Sequence, residues 1–69
     1  MEVRNTMEQL AMAYQGQMVE IRDAYGGTHT GIIEGVNQQR GLFLRTSPFR
    51  RIFIPFFLIT SLLLLRRFF

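Results

Sequence analysis

The chain has no cysteine, no lysine, no tryptophan and a single histidine, His29. Without thiols no disulfide can staple the fold. A zinc cluster would have one imidazole and no sulfur to draw on. At 69 residues the chain can form one small domain. Below roughly 70–80 residues a lone core supplies only about 3–5 kcal/mol, so small folds lean on an added support. With disulfides and metal set aside, the expected support is association between copies of the chain. A large catalytic cleft is not expected at this size. No nucleophile–base pair and no phosphate loop is present, since Gly26-Gly27 reads as a turn and not as GxGxxG. The sequence therefore points away from an enzyme, a cofactor, a metal and a small-molecule substrate. His29 reads as a structural residue. Glu20, Asp23 and Glu34 read as solvated carboxylates or partners of Arg22.

Charge is missing from particular places. Residues 52–65, IFIPFFLITSLLLL, carry none, and residues 40–69 carry no acid. Residues 1–39 hold five acids and two arginines, a net of −3, and residues 40–69 hold six arginines, a net of +6. Every cation is arginine, a type suited to bidentate and partly desolvated pairing. Six of the seven phenylalanines lie at or beyond Phe49. Residues 1–14 mix Glu2, Arg4 and Glu8 with single apolar residues, so no secretory leader is read there and an intracellular protein is expected.

The uncharged run invites a membrane reading, and its arithmetic argues otherwise. Fourteen residues of helix span about 21 Å, against a hydrocarbon core of about 30 Å. Pro55 interrupts the run, and arginine pairs bracket it at 50–51 and 66–67. Ile and Phe favour strands. Fourteen residues of strand would reach about 46 Å, so the run should break in two, with Pro55-Phe56-Phe57 as the corner.

Along the rest of the chain, Met7, Leu10, Ala11 and Tyr14 recur at helical spacing. Thr6 with Gln9, or Asn5 with Glu8, has capping-box spacing, and Gly16 suits the helix end. This predicts a helix over 5–15 that caps the open end of a small barrel. Residues 17–24 alternate as a strand, Tyr25-Gly26-Gly27 turns, and 28–37 form a second strand. There Gly31 and Gly35 suggest a sharp bend or a close backbone approach. After the turn 38–41, a third strand covers 42–46, a fourth 50–55 and a fifth 59–65. The fold class is mainly β with one N-terminal helix. Five short, strongly bent strands suggest a closed barrel over 17–65, with 66–69 as an Arg/Phe tail.

A helix and five bent strands in this length resemble the Sm-like fold, the family of the Sm and Sm-like RNA-binding proteins and the bacterial RNA chaperone Hfq. The resemblance covers roughly 5–65, through GQMVEIRDAYGGTHTGIIEGVNQQRGLFL and IFIPFFLITSL. It implies one Sm-like domain in which the fourth strand of one subunit pairs with the fifth of the next. The family's base-binding Asp and Asn, four residues apart after the second strand, correspond here to Asn37 and Gly41. Its Arg-Gly, or the Lys-His of Hfq, corresponds to Pro55 and Phe56. The resemblance thus carries assembly over better than RNA binding. A cysteine-free chain with a Phe-, Leu- and Arg-rich end also resembles small structural proteins of endospore-forming bacteria, which would make it spore-associated.

The expected subunit interface comprises Arg51, Ile52, Phe53, Ile54, Phe56, Phe57, Ile59, Leu62, Leu64, Phe68 and Phe69. Unblunted apolar edges of this kind invite strand pairing. Head-to-tail pairing gives a ring if the rotation closes and a filament if it does not. Arg40, Arg45, Arg50, Arg51, Arg66 and Arg67 have three readings: phosphates of a nucleic acid, lipid headgroups, or the acidic half of a neighbouring subunit. The function read from the sequence is a self-assembling structural protein whose partner is itself. The alternatives are an Hfq-like RNA-binding ring and a membrane-surface protein anchored by 49–69.

Overall fold

A computed structural model describes residues 6–65. Helix α1, Met7–Ala13, starts where Gln9 N–H donates to Thr6 Oγ1 at 3.3 Å, filling one of the free donors of the first turn. It is shorter than the predicted 5–15. The chain leaves the helix at Tyr14 and doubles back at Gly16, whose φ of 84° is left-handed. Gly16 N–H donates to Ile33 O at 2.8 Å, tying the helix end to the sheet. Ala11 is fully buried, and Met7, Leu10 and Tyr14 pack on the core beside it. The helix therefore covers the end of the sheet, as its apolar spacing implies.

The strands are β1, Met18–Asp23; β2, Thr28–Asn37; β3, Gly41–Ser47; β4, Arg50–Pro55; and β5, Ile59–Leu64. A 3₁₀ turn at Phe56–Leu58 joins the last two. β3 runs one residue beyond its predicted bounds at each end. All pairings are antiparallel, in the order β4-β3-β2-β1-β5. The expected closed barrel is corrected here to an open sheet with β4 and β5 as its edges. The three-residue corner sends one strand along β3 and the other along β1, and they do not pair with each other.

The sheet is nonetheless strongly curled. Phe56 N–H donates to Arg40 O at 2.9 Å and Ala24 N–H to Leu58 O at 2.8 Å, so the corner reaches from the start of β3 to the end of β1. Register shifts at Arg22/Asp23, Ile33/Gly35 and Arg45/Ser47 supply the bends. Gly31 and Gly35 divide the two roles their spacing suggests. Gly35 borders the β2 bulge. A Cβ on Gly31 would meet the Arg45 carbonyl, so Gly31 permits close approach, and Gly41 does the same against Ile54 O.

Curling encloses Val19, Ile21, Ile33, Leu42, Leu44, Ile54, Ile59 and Leu62 with Ala11. Alternate residues share a face, so one face of each strand fills this core. Each such aliphatic side chain contributes about 1.5–3 kcal/mol on burial. Among the described residues no helix is long and apolar enough to cross a membrane.

Candidate assembly edges and charged face

The edge positions follow from two backbone hydrogen bonds. Phe56 N–H donates to Arg40 O, so the β4 residues bonded to β3 are 52, 54 and 56. Arg51 and Phe53 therefore turn their N–H and C=O to the open side. Pro55 has the same parity, so its missing N–H costs no ladder bond, which explains a proline inside a strand. On the other edge Leu65 N–H donates to Met18 O at 3.0 Å. Residues 61 and 63 then bond β1, and Leu62 and Leu64 turn their backbone groups outward.

The side chains expected at the interface divide into three groups. Ile54, Ile59 and Leu62 are only 4%, 8% and 7% exposed and belong to their own subunit's core; Ile54 keeps its backbone bonded to β3, and Leu62 turns its backbone to the open edge. Ile52, Phe56 and Leu64 pack partly on that core. Phe53 and Phe57 are exposed, Phe57 to 83%. Phe68, Phe69, Arg66 and Arg67 lie outside the described residues. Leu63, 51% exposed, is an edge residue that the sequence reading omitted. Its β1 partner Glu20 marks it as outward-facing once the register is known.

The arginines do not form one patch. Arg40 sits in the β2–β3 turn, where its N–H donates to Asn37 O at 3.0 Å. Arg45, Arg50 and Arg51 lie at the far end of β3 and the start of β4. Arg45 and Arg51 are cross-strand partners and both reach Glu34 on β2. Arg45 Nε donates to Glu34 Oε2, Arg45 Nη1 donates to Pro48 O at 2.8 Å, and Arg51 Nη1 lies 3.5 Å from Glu34 Oε1. The Arg45 hydrogen bond is the chief reason the Glu34 carboxyl titrates below its ordinary range. Two arginines expected to meet a neighbour's acids thus find an acid within their own chain. Among the described residues Arg40 and Arg50 make no ion pair.

Beside this cluster Phe43 and Phe53 face each other across β3 and β4, with ring centroids 5.0 Å apart and planes tilted by 55°. The Arg51 guanidinium lies 5.3 Å from the Phe43 ring centre. The outer face of β3–β4 is therefore aromatic and cationic, with one acid between the arginines.

The two other acids of the sheet, Glu20 and Asp23, are also partnered. Glu20 accepts from Arg22 Nε at 3.1 Å, as expected. Asp23 instead organises the β1–β2 turn. It accepts from Tyr25 N–H at 2.9 Å and Gly27 N–H at 2.8 Å, and its other oxygen lies 2.8 Å from His29 Nε2. The His29 hydrogen bond first, then that from Gly27, holds the Asp23 carboxyl below its usual value. The His29–Asp23 link was not legible beforehand, because it depends on the length of the turn. Among the described residues no group of three or more His, Cys, Asp or Glu could hold a metal ion. No buried side-chain polar atom there lacks a partner.

No family model matches the chain, nor does any curated protein or solved structure.

Proposed function

We propose that this is a non-enzymatic, self-assembling structural subunit of Sm-like type. Its copies join head to tail through β4 of one and β5 of the next, into rings, stacked rings or a filament. One observation carries this reading: the two free edges turn out matching backbone groups, from Arg51 and Phe53 on one side and Leu62 and Leu64 on the other. The described part of the β5 edge carries no charge, and on β4 Arg51 and Pro55 flank an uncharged Ile52-Phe53-Ile54.

The side-chain parity of the edges adds to it. The outward-bonding residues of β4, such as Phe53, carry side chains on the outer face, whereas Leu62 and Leu64 carry theirs on the inner face. Pairing them makes the outer face of one sheet continuous with the inner face of the next. The curvature must then reverse at each junction. Copies sit side by side with separate cores and do not merge into one larger barrel. The contact is heterologous, so closure of the rotation decides between ring and filament.

The Sm-like resemblance would place base-binding groups where the β2–β3 turn meets the β4–β5 corner. There the chain offers Asn37, Gly41, Pro55 and Phe56, with Phe57 exposed. An apolar corner suits contacts between protein copies better than a nucleic acid phosphate.

Phe53→Pro tests the reading. It deletes an outward N–H that β3 does not use, so a folded monomer is expected by light scattering and circular dichroism. A Phe53→Pro chain that keeps the mass of the unaltered assembly rules the β4 edge out.

A further inference from the structure

Strand β2 loses one of its partners midway. On its β1 side the bonded residues are fixed at both ends: Asp23 N–H donates to Gly27 O at 3.0 Å, and Ile33 N–H to Gln17 O at 3.3 Å. Odd-numbered residues of β1 and β2 therefore bond each other. Thr28, Thr30 and Ile32 turn their N–H and C=O the other way, toward β3. Ile32 meets Arg45 there, and the β2–β3 register begins with that pair. Beyond it β3 turns away at Ser47, which pairs with Arg50 on β4. Thr28 and Thr30, both exposed, thus present backbone groups to a break in the sheet with no strand across from them.

Two clefts flank this break and share Thr30 and Thr46. The one on the outer face, about 480 Å³, is mostly apolar, with Met18, Ile32 and Pro48 in its wall. The other, about 400 Å³, lies toward Ile52, which packs on the core, and is lined by His29 and Arg50. Charge separates the two sides. Arg50 makes no ion pair among the described residues. Arg45, on the outer side, is already held by Glu34 and the Pro48 carbonyl. Asp23, the acid that reaches His29, also accepts from Tyr25 N–H and Gly27 N–H. Glu20 is the register partner of Thr30 and shares the outer face with Met18. An added acid is therefore matched on the Arg50 side and opposed on the Glu20 side.

An extended segment laid along β2 exchanges backbone hydrogen bonds with Thr28 and Thr30, and its alternate side chains enter the two clefts. We infer that this break is a docking slot for an extended peptide of a partner protein in which apolar and acidic residues alternate. Its apolar side chains lie over Met18, Ile32 and Pro48, and an acid meets Arg50. The slot is away from the β4 and β5 edges, so it does not depend on their pairing.

The probes are the blocked peptide Val-Glu-Val-Glu-Val and its counterpart Val-Lys-Val-Lys-Val. Hydrogen exchange of the full chain, read by mass spectrometry, should slow at residues 28–31 when the Glu peptide is added, because the Thr28 and Thr30 amides gain acceptors. In fluorescence anisotropy the Lys peptide should bind several-fold more weakly, and Arg50→Glu should reverse that order. Arg40→Glu, at the other arginine without an ion pair, should leave the order unchanged. The comparison of the two peptides needs no variant. Absence of saturable binding, equal binding of the two peptides, or protection that spares 28–31 overturns the inference, as does Arg40→Glu acting like Arg50→Glu. Protection of 28–31 that grows with chain concentration and without peptide assigns the slot to a second copy and also overturns it. Assembly through β4 and β5 is read apart from this, by particle mass.

Discussion

The centre of the sheet and its two edges handle apolar surface in opposite ways. In β1 and β2 each strand has two partners, Val19, Ile21 and Ile33 are fully buried, and every acid has a partner. In β4 and β5 each strand has one partner, and Phe53 and Leu63 on them and Phe57 in the turn between remain on the surface. The acidic half of the chain builds β1 and β2, two of the three interior strands, with Met18 and Ile32 left partly exposed on their outer face. The basic, Phe-rich half builds the third interior strand, β3, and both edges, whose outward backbone groups have no partner in the sheet. A chain of this length gains little more from its own core, so the apolar residues left at the edges are the ones available to stabilise it through other copies.

That contrast can be broken at the centre first. Truncating Leu44→Ala leaves a cavity where the core is fully buried, and a loss of about 2–5 kcal/mol is expected in chemical denaturation. For a domain this small such a loss abolishes folding unless assembly compensates. Gly31→Val is the next most severe, because its Cβ would meet the Arg45 backbone; the expected result is a lower melting temperature together with loss of the β2–β3 register. A chain that tolerates valine there would show that the close approach is not needed for the curl.

At the edges the expectation is reversed: fold kept, mass changed. Leu63→Lys adds a charge to the exposed face of β5 and should lower particle mass with little change in the circular dichroism of the subunit. If it unfolds the subunit, the edge is as necessary to the core as the centre is. The smallest effect concerns acid. Asp23 has a lowered native pKa, so its contribution is complete at neutral pH and is lost as pH falls below the ordinary Asp value of 3.8 through the lower native one. Asp23→Asn should flatten that part of the stability–pH curve and loosen the β1–β2 turn. An unchanged acid profile would remove Asp23 from the account.

Much of this was readable in advance, for physical reasons. Helical spacing, the Thr6 cap, the alternation around Val19 and Ile21, and the break at Pro55 are local properties, and they placed the helix and all five strands within a few residues. The helix end was overextended because Gln15 suits a helix by local propensity, whereas the turn at Gly16 is fixed by its bond to Ile33. Closure into a barrel was misjudged because it depends on whether β4 and β5 find each other, which no local pattern encodes. The edge residues illustrate the same limit. An uncharged apolar run marked Ile54, Ile59 and Leu62 as interface side chains. Register shows them inside, and of the three it is Leu62 whose backbone groups face the open edge. The Glu34–Arg45–Arg51 cluster depends on a bulge between Ile33 and Gly35 and could not be found by spacing.

The central claim is that the open edges join copies of the chain, and the mass of the particle in solution tests it most directly. Light scattering behind size-exclusion chromatography, at micromolar concentration and without detergent, should give a mass several times the 8.1 kDa of one chain. The same sample should show rings or filaments by negative-stain microscopy. A stable, folded particle of 8.1 kDa would contradict the account.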